Sequence, residues 1–261
     1  MKAILSVNKP VGLTPNQVIE KIRKQFPHFE HEKIGFAGRL DPMARGVLLL
    51  MVGDANFERE KYLNLDKTYQ FTALLGLETD SYDLLGILDS LEYKEVPTDY
   101  QKTIKTFIQS NIGNKTQAYP PFSTKPVEGK RLFKWAKEGK LNEIEIPTKE
   151  IKIYSFKQLN ESTISAEKLQ TEINDKIAKI EGFFRQEETL EKWNSYFLRA
   201  KQKDIAEFKT ITAEVSCSSG TYIRSLVHNL GKTLGCGAVT IDINRTSVGK
   251  YLLKDSIELT I

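Results

Sequence analysis

Residues 35–50 read Gly35-Phe-Ala-Gly-Arg-Leu-Asp41-Pro-Met-Ala-Arg-Gly-Val-Leu-Leu-Leu50. Asp41 is the sole acidic residue between Glu32 and Asp54. Gly35 and Gly38 permit backbone angles that a side chain forbids, which suits a tight loop. Pro42 fixes its own φ and pushes Asp41 towards an extended conformation. Val47 to Val52 is an apolar run of the length of a buried strand. A single carboxylate on a stiff loop, in front of a buried element, is how a catalytic side chain is commonly presented. On spacing alone an Asp before Pro in a glycine-rich loop is more often a turn residue than a catalyst, so the rest of the chain has to decide.

Working outward on the N-terminal side, Ala3 to Val7 reads as a strand and Asn8 to Gly12 as a turn. Thr14 is a good helix N-cap and Pro15 suits the first helical position, where its missing N–H costs nothing. Val18, Ile19 and Ile22 then continue a helix that ends near Phe26-Pro27. On the other side, Gly53 to Asp66 is charged and helical in pattern. Tyr69, Phe71, Ala73 and Leu75 alternate as a strand before a polar, glycine-bounded loop at Gly76–Gly86. Tyr100, Ile104, Phe107 and Ile108 place a helix within Thr98–Gly113. Ile144 to Phe156 is strand-like, broken at Pro147. From about 160 to 206, Leu169, Ile173, Ile177, Ile180 and Phe184 mark one helical face and Leu190, Trp193 and Phe197 another, which predicts a charged helical hairpin between two strands. That hairpin has RNA, a partner or the body of the protein as its possible contacts. Phe208 to Cys217 alternates as a strand, and Val227, Leu230 and Leu234 give a final helix closed by Gly235.

Composition narrows the function classes. The chain has 261 residues, 40% hydrophobic and 28% charged, which is ordinary for a globular protein with a substantial core. Its 38 Lys+Arg against 34 Asp+Glu leave a net charge of +4, so a polyanionic partner requires a local basic face. Such a face is offered by Lys125, Lys130, Arg131, Lys134 and Lys137, interleaved with Phe122, Phe133 and Trp135. Cations for phosphates and rings for bases are what RNA needs, although a solvated helix face fits the same pattern. The two cysteines and three histidines (Cys217, Cys236, His28, His31, His228) have no metal-ligand spacing, so no metal site is expected. Both cysteines read as small buried hydrophobes. Few cysteines and no signal peptide point to a cytoplasmic setting, and no apolar run approaches membrane-spanning length.

The pattern Gly-x-x-Gly-x-Leu-Asp-Pro-x-Ala-x-Gly-Val-Leu at 35–48 closely resembles the catalytic loop of the TruB family of tRNA pseudouridine synthases. Other segments resemble the same family: Asn-Lys-Pro-Val-Gly-Leu-Thr-Pro at 8–15, Lys67-Thr68-Tyr69 with the Leu-Gly-x-x-Thr-Asp-Ser-x-Asp-x-x-Gly run after it, Pro-Pro-Phe-Ser at 120–123 with Gly129 to Leu132, and Cys-Ser-x-Gly-Thr-Tyr-Ile-Arg-Ser-Leu at 217–226. Arg39-Leu40-Asp41 also echoes the ribosomal pseudouridine synthases, but the flanking Pro42 and the Lys-Thr-Tyr run favour the tRNA family.

The resemblance implies an α/β (α+β) pseudouridine synthase fold, with a central, largely antiparallel mixed sheet flanked by helices. It implies that Asp41 is the nucleophile, that Tyr69 packs against the target base and is a candidate for the proton-transfer step, and that Arg224 pairs with Asp41. A bidentate pair would fix the direction of the carboxylate. Phe36 stands where the family has the His of Gly-His-Thr-Gly, which inserts into the RNA loop; Phe can stack there but cannot hydrogen-bond. Counting back from Gly129, the family's Lys falls on Pro126, and Lys125 is one place early. Lys125, Lys130, Arg131 and Lys134 are the expected RNA-binding cations. The implied substrate is uridine 55 in the T loop of tRNA, with no cofactor and a monomeric enzyme. The implied organisation is one catalytic domain over 1–261, interrupted by the helical insertion at about 160–206, in a short form lacking a C-terminal PUA domain. The alternatives are a non-catalytic RNA-binding or RNA-folding protein on the same fold, or a pseudouridine synthase with a different RNA target.

Overall fold

The apolar run after Asp41 becomes the strand on which the sheet is built. In the computed structural model, which describes residues 1–260, the order of elements is β1 (Lys2–Lys9), α1 (Pro15–Gln25), β2 (Ile34–Ala37), β3 (Ala44–Gly53), α2 (Arg59–Leu63), β4 (Lys67–Leu75), α3 (Tyr100–Asn111), β5 (Gly113–Ala118), β6 (Pro126–Val127), β7 (Lys130–Arg131), α4 (Leu132–Lys137), β8 (Thr148–Ser165), α5 (Ala166–Ala178), α6 (Gln186–Gln202), β9 (Glu207–Cys217), α7 (Ile223–Leu234), β10 (Ala238–Val248), β11 (Tyr251–Leu252) and β12 (Ile257–Glu258). Ten strands form one sheet in the order β12-β1-β3-β10-β4-β9-β8-β5, with β2 beside β3 and β11 beside β10. The β1–β12 and β3–β10 pairs are parallel and the others antiparallel. This is the largely antiparallel mixed sheet that the sequence led us to expect. No described helix is long and apolar enough to cross a membrane.

Local chemistry explains most of the elements. Thr14 and Gln17 form a capping box at α1: the Thr14 N–H donates to Gln17 Oε1 at 2.7 Å while the Gln17 N–H reaches Thr14 Oγ1 at 3.4 Å. Val47 to Val52 are fully buried, as a central strand covered on both faces must be. On β4, Lys67, Tyr69, Phe71 and Ala73 are buried, alternating with half-buried Thr68, Gln70 and Thr72. The α7 helix ends at Gly235 with φ 75°, a left-handed cap.

Two segments differ from expectation. The charged stretch Gly53–Asp66 is not one helix. A 3₁₀ turn at Asp54–Glu58 precedes the five-residue α2, because the Asn56 amide donates to the carbonyls of Lys33, Met51 and Gly53 and so ties the turn to the end of β3. The hairpin starts later than about 160. β8 runs on to Ser165, paired with β9 as far as Glu207, and Ser165 then caps α5 by accepting from the Lys168 N–H. Pro147, which has no N–H to give to a ladder, sits just before β8 rather than inside it.

The main core lies under the sheet and joins α1, α3 and α7 to it through Val18, Ile104, Leu226 and their neighbours. A second core joins α5 and α6, through Ile173, Trp193 and Tyr196, to Leu84, Leu85 and Leu88 of the loop after β4. The hairpin therefore shares its apolar interior with a loop that reaches the site.

Candidate active site

Asp41 sits on the connection between β2 and β3, and the carbonyls of that connection are held from behind by buried cations. Arg245 of β10 is nearly water-free, and donates from Nε to Val47 O at 2.7 Å, from Nη2 to Gly38 O at 3.1 Å and from Nη1 to Arg39 O at 3.4 Å. Lys9, at the end of β1, is completely buried; its Nζ donates to Pro10 O at 2.7 Å and Pro42 O at 3.5 Å. The Gly12 N–H adds a bond to Pro42 O at 2.9 Å. Gly46, with φ 105°, lets β3 approach β10 this closely, since a Cβ there would lie 2.3 Å from Arg245 O. Burial lowers the Lys9 ammonium to about pH 7, against the pull of the Asp41 carboxylate.

Arg224 approaches Asp41 from the first turn of α7. It is 3% exposed, and its Nε donates to Asp41 Oδ2 at 2.9 Å. Its Nη1 donates to Ser81 O at 2.7 Å and its Nη2 to Phe122 O at 3.3 Å. The expected pairing is present, but it is not bidentate: the two terminal nitrogens are committed to backbone carbonyls of separate loops. This geometry ties the loop after β4, the segment before β6 and the β2–β3 connection to one side chain. Asp83 lies 3.6 Å from the same Nε and is itself buried, accepting from Ser81 Oγ at 2.6 Å and the Leu85 N–H at 3.1 Å. Burial opposes the guanidinium's charge, but the Asp41 and Asp83 carboxylates outweigh it and Arg224 holds its proton more firmly than usual. Burial raises Asp83, with Arg224 opposing.

In front of Asp41 lies a cavity of about 270 Å³, lined among others by Lys67, Tyr69, Tyr222, Ile243 and Arg224. Tyr69 is 8% exposed, and burial raises its phenol, with the nearby Arg245 charge pulling the other way. Lys67 points its Nζ to the carbonyls of Leu63, at 2.6 Å, and Leu65; burial lowers it to about 8. Burial likewise pushes Tyr222 up to about 12. The cavity thus brings a carboxylate, a guanidinium and a phenol together in a mixed polar and apolar lining, with a volume that can enclose a pyrimidine. Cys217 and Cys236 are buried and free, and burial pushes the Cys217 thiol up to about 11.

The structure brings Asp41, Tyr69 and Arg224 to one cavity and disperses the expected cations. Lys130 is paired with Glu138 and lies 4.4 Å over the Trp135 ring. Lys125 lies 5.3 Å over Tyr119. Lys134 is exposed and lines neither this cavity nor the one beside it. Arg131 is exposed and lines that second, adjoining cavity. Phe36 packs its ring against the main core, beneath Arg39 at 5.6 Å, instead of projecting into either cavity. Sequence reasoning missed the supporting roles of Lys67, Asp83, Phe122 and Arg245, because residue type alone does not say which distant groups a side chain or carbonyl will meet.

A protein-family model, the N-terminal domain of TruB family pseudouridylate synthases, matches residues 24–176. The chain is 31% identical to tRNA pseudouridine synthase B of Clostridioides difficile over 99% of its own length and 69% of that protein. It is 30% identical to tRNA pseudouridine synthase B of Thermotoga maritima, covering 98% of this chain and 66% of that one. The chain therefore spans about two thirds of the length of these relatives. Its fold is similar to a chain in the crystal structure of a Cbf5-Nop10-Gar1 complex, with a TM-score of 0.58 at 22% identity, covering 98% of this chain and 52% of that chain. With a matching family model over more than half its length and full-chain similarity to such relatives, this protein belongs to the TruB family of pseudouridylate synthases.

Proposed function

We propose that this chain isomerises uridine 55 in the T loop of tRNA to pseudouridine, with Asp41 as the nucleophile. The observation that carries the reading is the Arg224 Nε–Asp41 Oδ2 contact of 2.9 Å at the mouth of a cavity that also holds Tyr69. The target base leaves its stack to enter, at a cost of a few kcal/mol. Asp41 engages the uridine, the bond from N1 to the ribose breaks, the uracil turns within the cavity, and a bond forms from C5 to the same sugar carbon. The C5 proton is lost and N1 gains one, so composition is unchanged. Arg224 orients the carboxylate throughout. Tyr69, which lines the cavity, walls the base in and is the candidate for the proton step. The names of the relatives, tRNA pseudouridine synthase B, support tRNA as the substrate.

The test is Asp41→Asn, which is nearly isosteric and removes the nucleophile alone. Release of tritium from C5-labelled uridine in a T-loop stem-loop should vanish while RNA binding persists. Residual turnover within about tenfold of the parent overturns the assignment.

A further inference from the structure

A second cavity, of about 380 Å³, opens on the other side of Asp41. Six residues, Arg39, Leu40, Asp41, Phe122, Thr124 and Arg224, line both cavities, so the two are neighbours across the catalytic carboxylate. Its outer wall is the α5–α6 connection, through Phe183, Phe184 and Arg185. Phe183 is fully exposed, at the brink of the cavity. Its neighbour Arg185 is anchored in the left-handed region at φ 62°, a conformation that a side chain makes unfavourable and surrounding contacts must hold. Those contacts are a two-bond pair with Asp80, at 2.9 and 3.1 Å, and the Phe122 ring 4.4 Å from its guanidinium carbon. Phe122 is the residue whose carbonyl accepts from Arg224. The wall is thus fixed to the catalytic centre.

Charge and shape together select the occupant. Arg39, Arg131 and Lys137 line this cavity, are exposed, and make no ion pair among the described residues. The two carboxylates that line it, Asp41 and Asp83, both face Arg224. Cations without a carboxylate partner, Arg39 over Phe36 at 5.6 Å and Lys137 over Phe133 at 6.0 Å among them, beside the exposed Phe183 ring match the needs of an unpaired nucleotide: phosphate to the cations, base to the open ring. Resting on the functional reading above, we infer that this cavity holds a nucleotide adjoining the target uridine in the RNA, and that Phe183 of the α5–α6 connection is its stacking platform.

The experiment uses the full chain and a T-loop stem-loop RNA carrying 2-aminopurine, in separate molecules, on either side of the target uridine. Wild-type protein should quench one of the two probes. Phe183→Ala, at an exposed site that does not endanger folding, should lose that quenching and raise KM at least about fivefold, the low end for one stacked base. Phe183→Leu should behave like Ala, and Phe183→Trp like wild type. Wild-type quenching and KM in the Ala or Leu variant, with the wild type active, overturns the inference while leaving the function intact. A change in self-association by sedimentation, with RNA binding unaltered, reassigns Phe183 to a contact between copies and overturns it too. If the wild type forms no pseudouridine in this RNA, the functional reading falls first and this one with it.

Discussion

Two connections face each other across Asp41, and they are held in opposite ways. The β2–β3 connection is pinned from inside. Arg245 and Lys9 are buried, and their nitrogens end on the carbonyls of Gly38, Arg39 and Pro42. The α5–α6 connection is pinned from outside, by a partly exposed Arg185–Asp80 pair and by the Glu181 N–H donating to Gly12 O at 3.2 Å. A buried cation that loses its acceptors, or acceptors that lose their cation, are left without water to replace the partner, which costs several kcal/mol. A surface pair contributes about 1 kcal/mol or less. The first connection thus has few tolerable geometries, which suits the nucleophile role proposed for Asp41. The second is held by contacts that water can partly replace, so its geometry depends on fewer buried partners.

The comparison breaks most sharply at Trp193. This side chain is fully buried in α6, and its Nε1 donates to Leu84 O at 3.2 Å, beside the Thr189 hydroxyl bond to Leu85 O at 3.1 Å. If the hairpin and the Leu84–Leu88 loop are one cooperative core, Trp193→Ala lowers stability by about 3–5 kcal/mol in urea unfolding, with one transition. A loss below about 1 kcal/mol, or two separate transitions, means that the hairpin folds apart from the catalytic body.

Next comes Arg224→Lys, which preserves charge but cannot serve Asp41, Ser81 and Phe122 together. Turnover should fall at least about tenfold, equivalent to roughly 1.4 kcal/mol, with RNA affinity changing much less. Unchanged kcat would show that charge near Asp41 suffices and that the three-way anchoring is dispensable.

A further prediction concerns pH. Burial takes Lys9 from 10.5 to about 7. Between those values the unfolded chain binds a proton that the folded chain lacks, so stability rises with pH across that window. Lys9→Met should flatten the rise measured between pH 7 and 9 by up to about 1.4 kcal/mol per pH unit. Identical slopes in parent and variant would show that Lys9 is not a buried, proton-poor anchor of the catalytic connection.

What the chain determined by itself is whatever short-range chemistry decides. The Thr14 cap, the apolar Val47–Val52 run of β3, the alternation on β4 and the helix stop at Gly235 were all readable, because each depends on residues within one turn or one pleat of each other. The pattern around Asp41 and the Gly-Thr-Tyr-Ile-Arg-Ser-Leu run pointed to two halves of a site that are 183 residues apart. Tertiary structure alone decided how those halves meet. Arg224 gives Asp41 one bond instead of two because Ser81 and Phe122 arrive with carbonyls that need donors. Lys9, Lys67 and Arg245 are anchors rather than surface charges, since the sheet closes over them. Lys125 and Lys130, which look like equals of Arg131 in sequence, lie over Tyr119 and Trp135. Whether a charged side chain faces water, a ring or a carbonyl depends on what distant segments bring to it, and no local pattern encodes that.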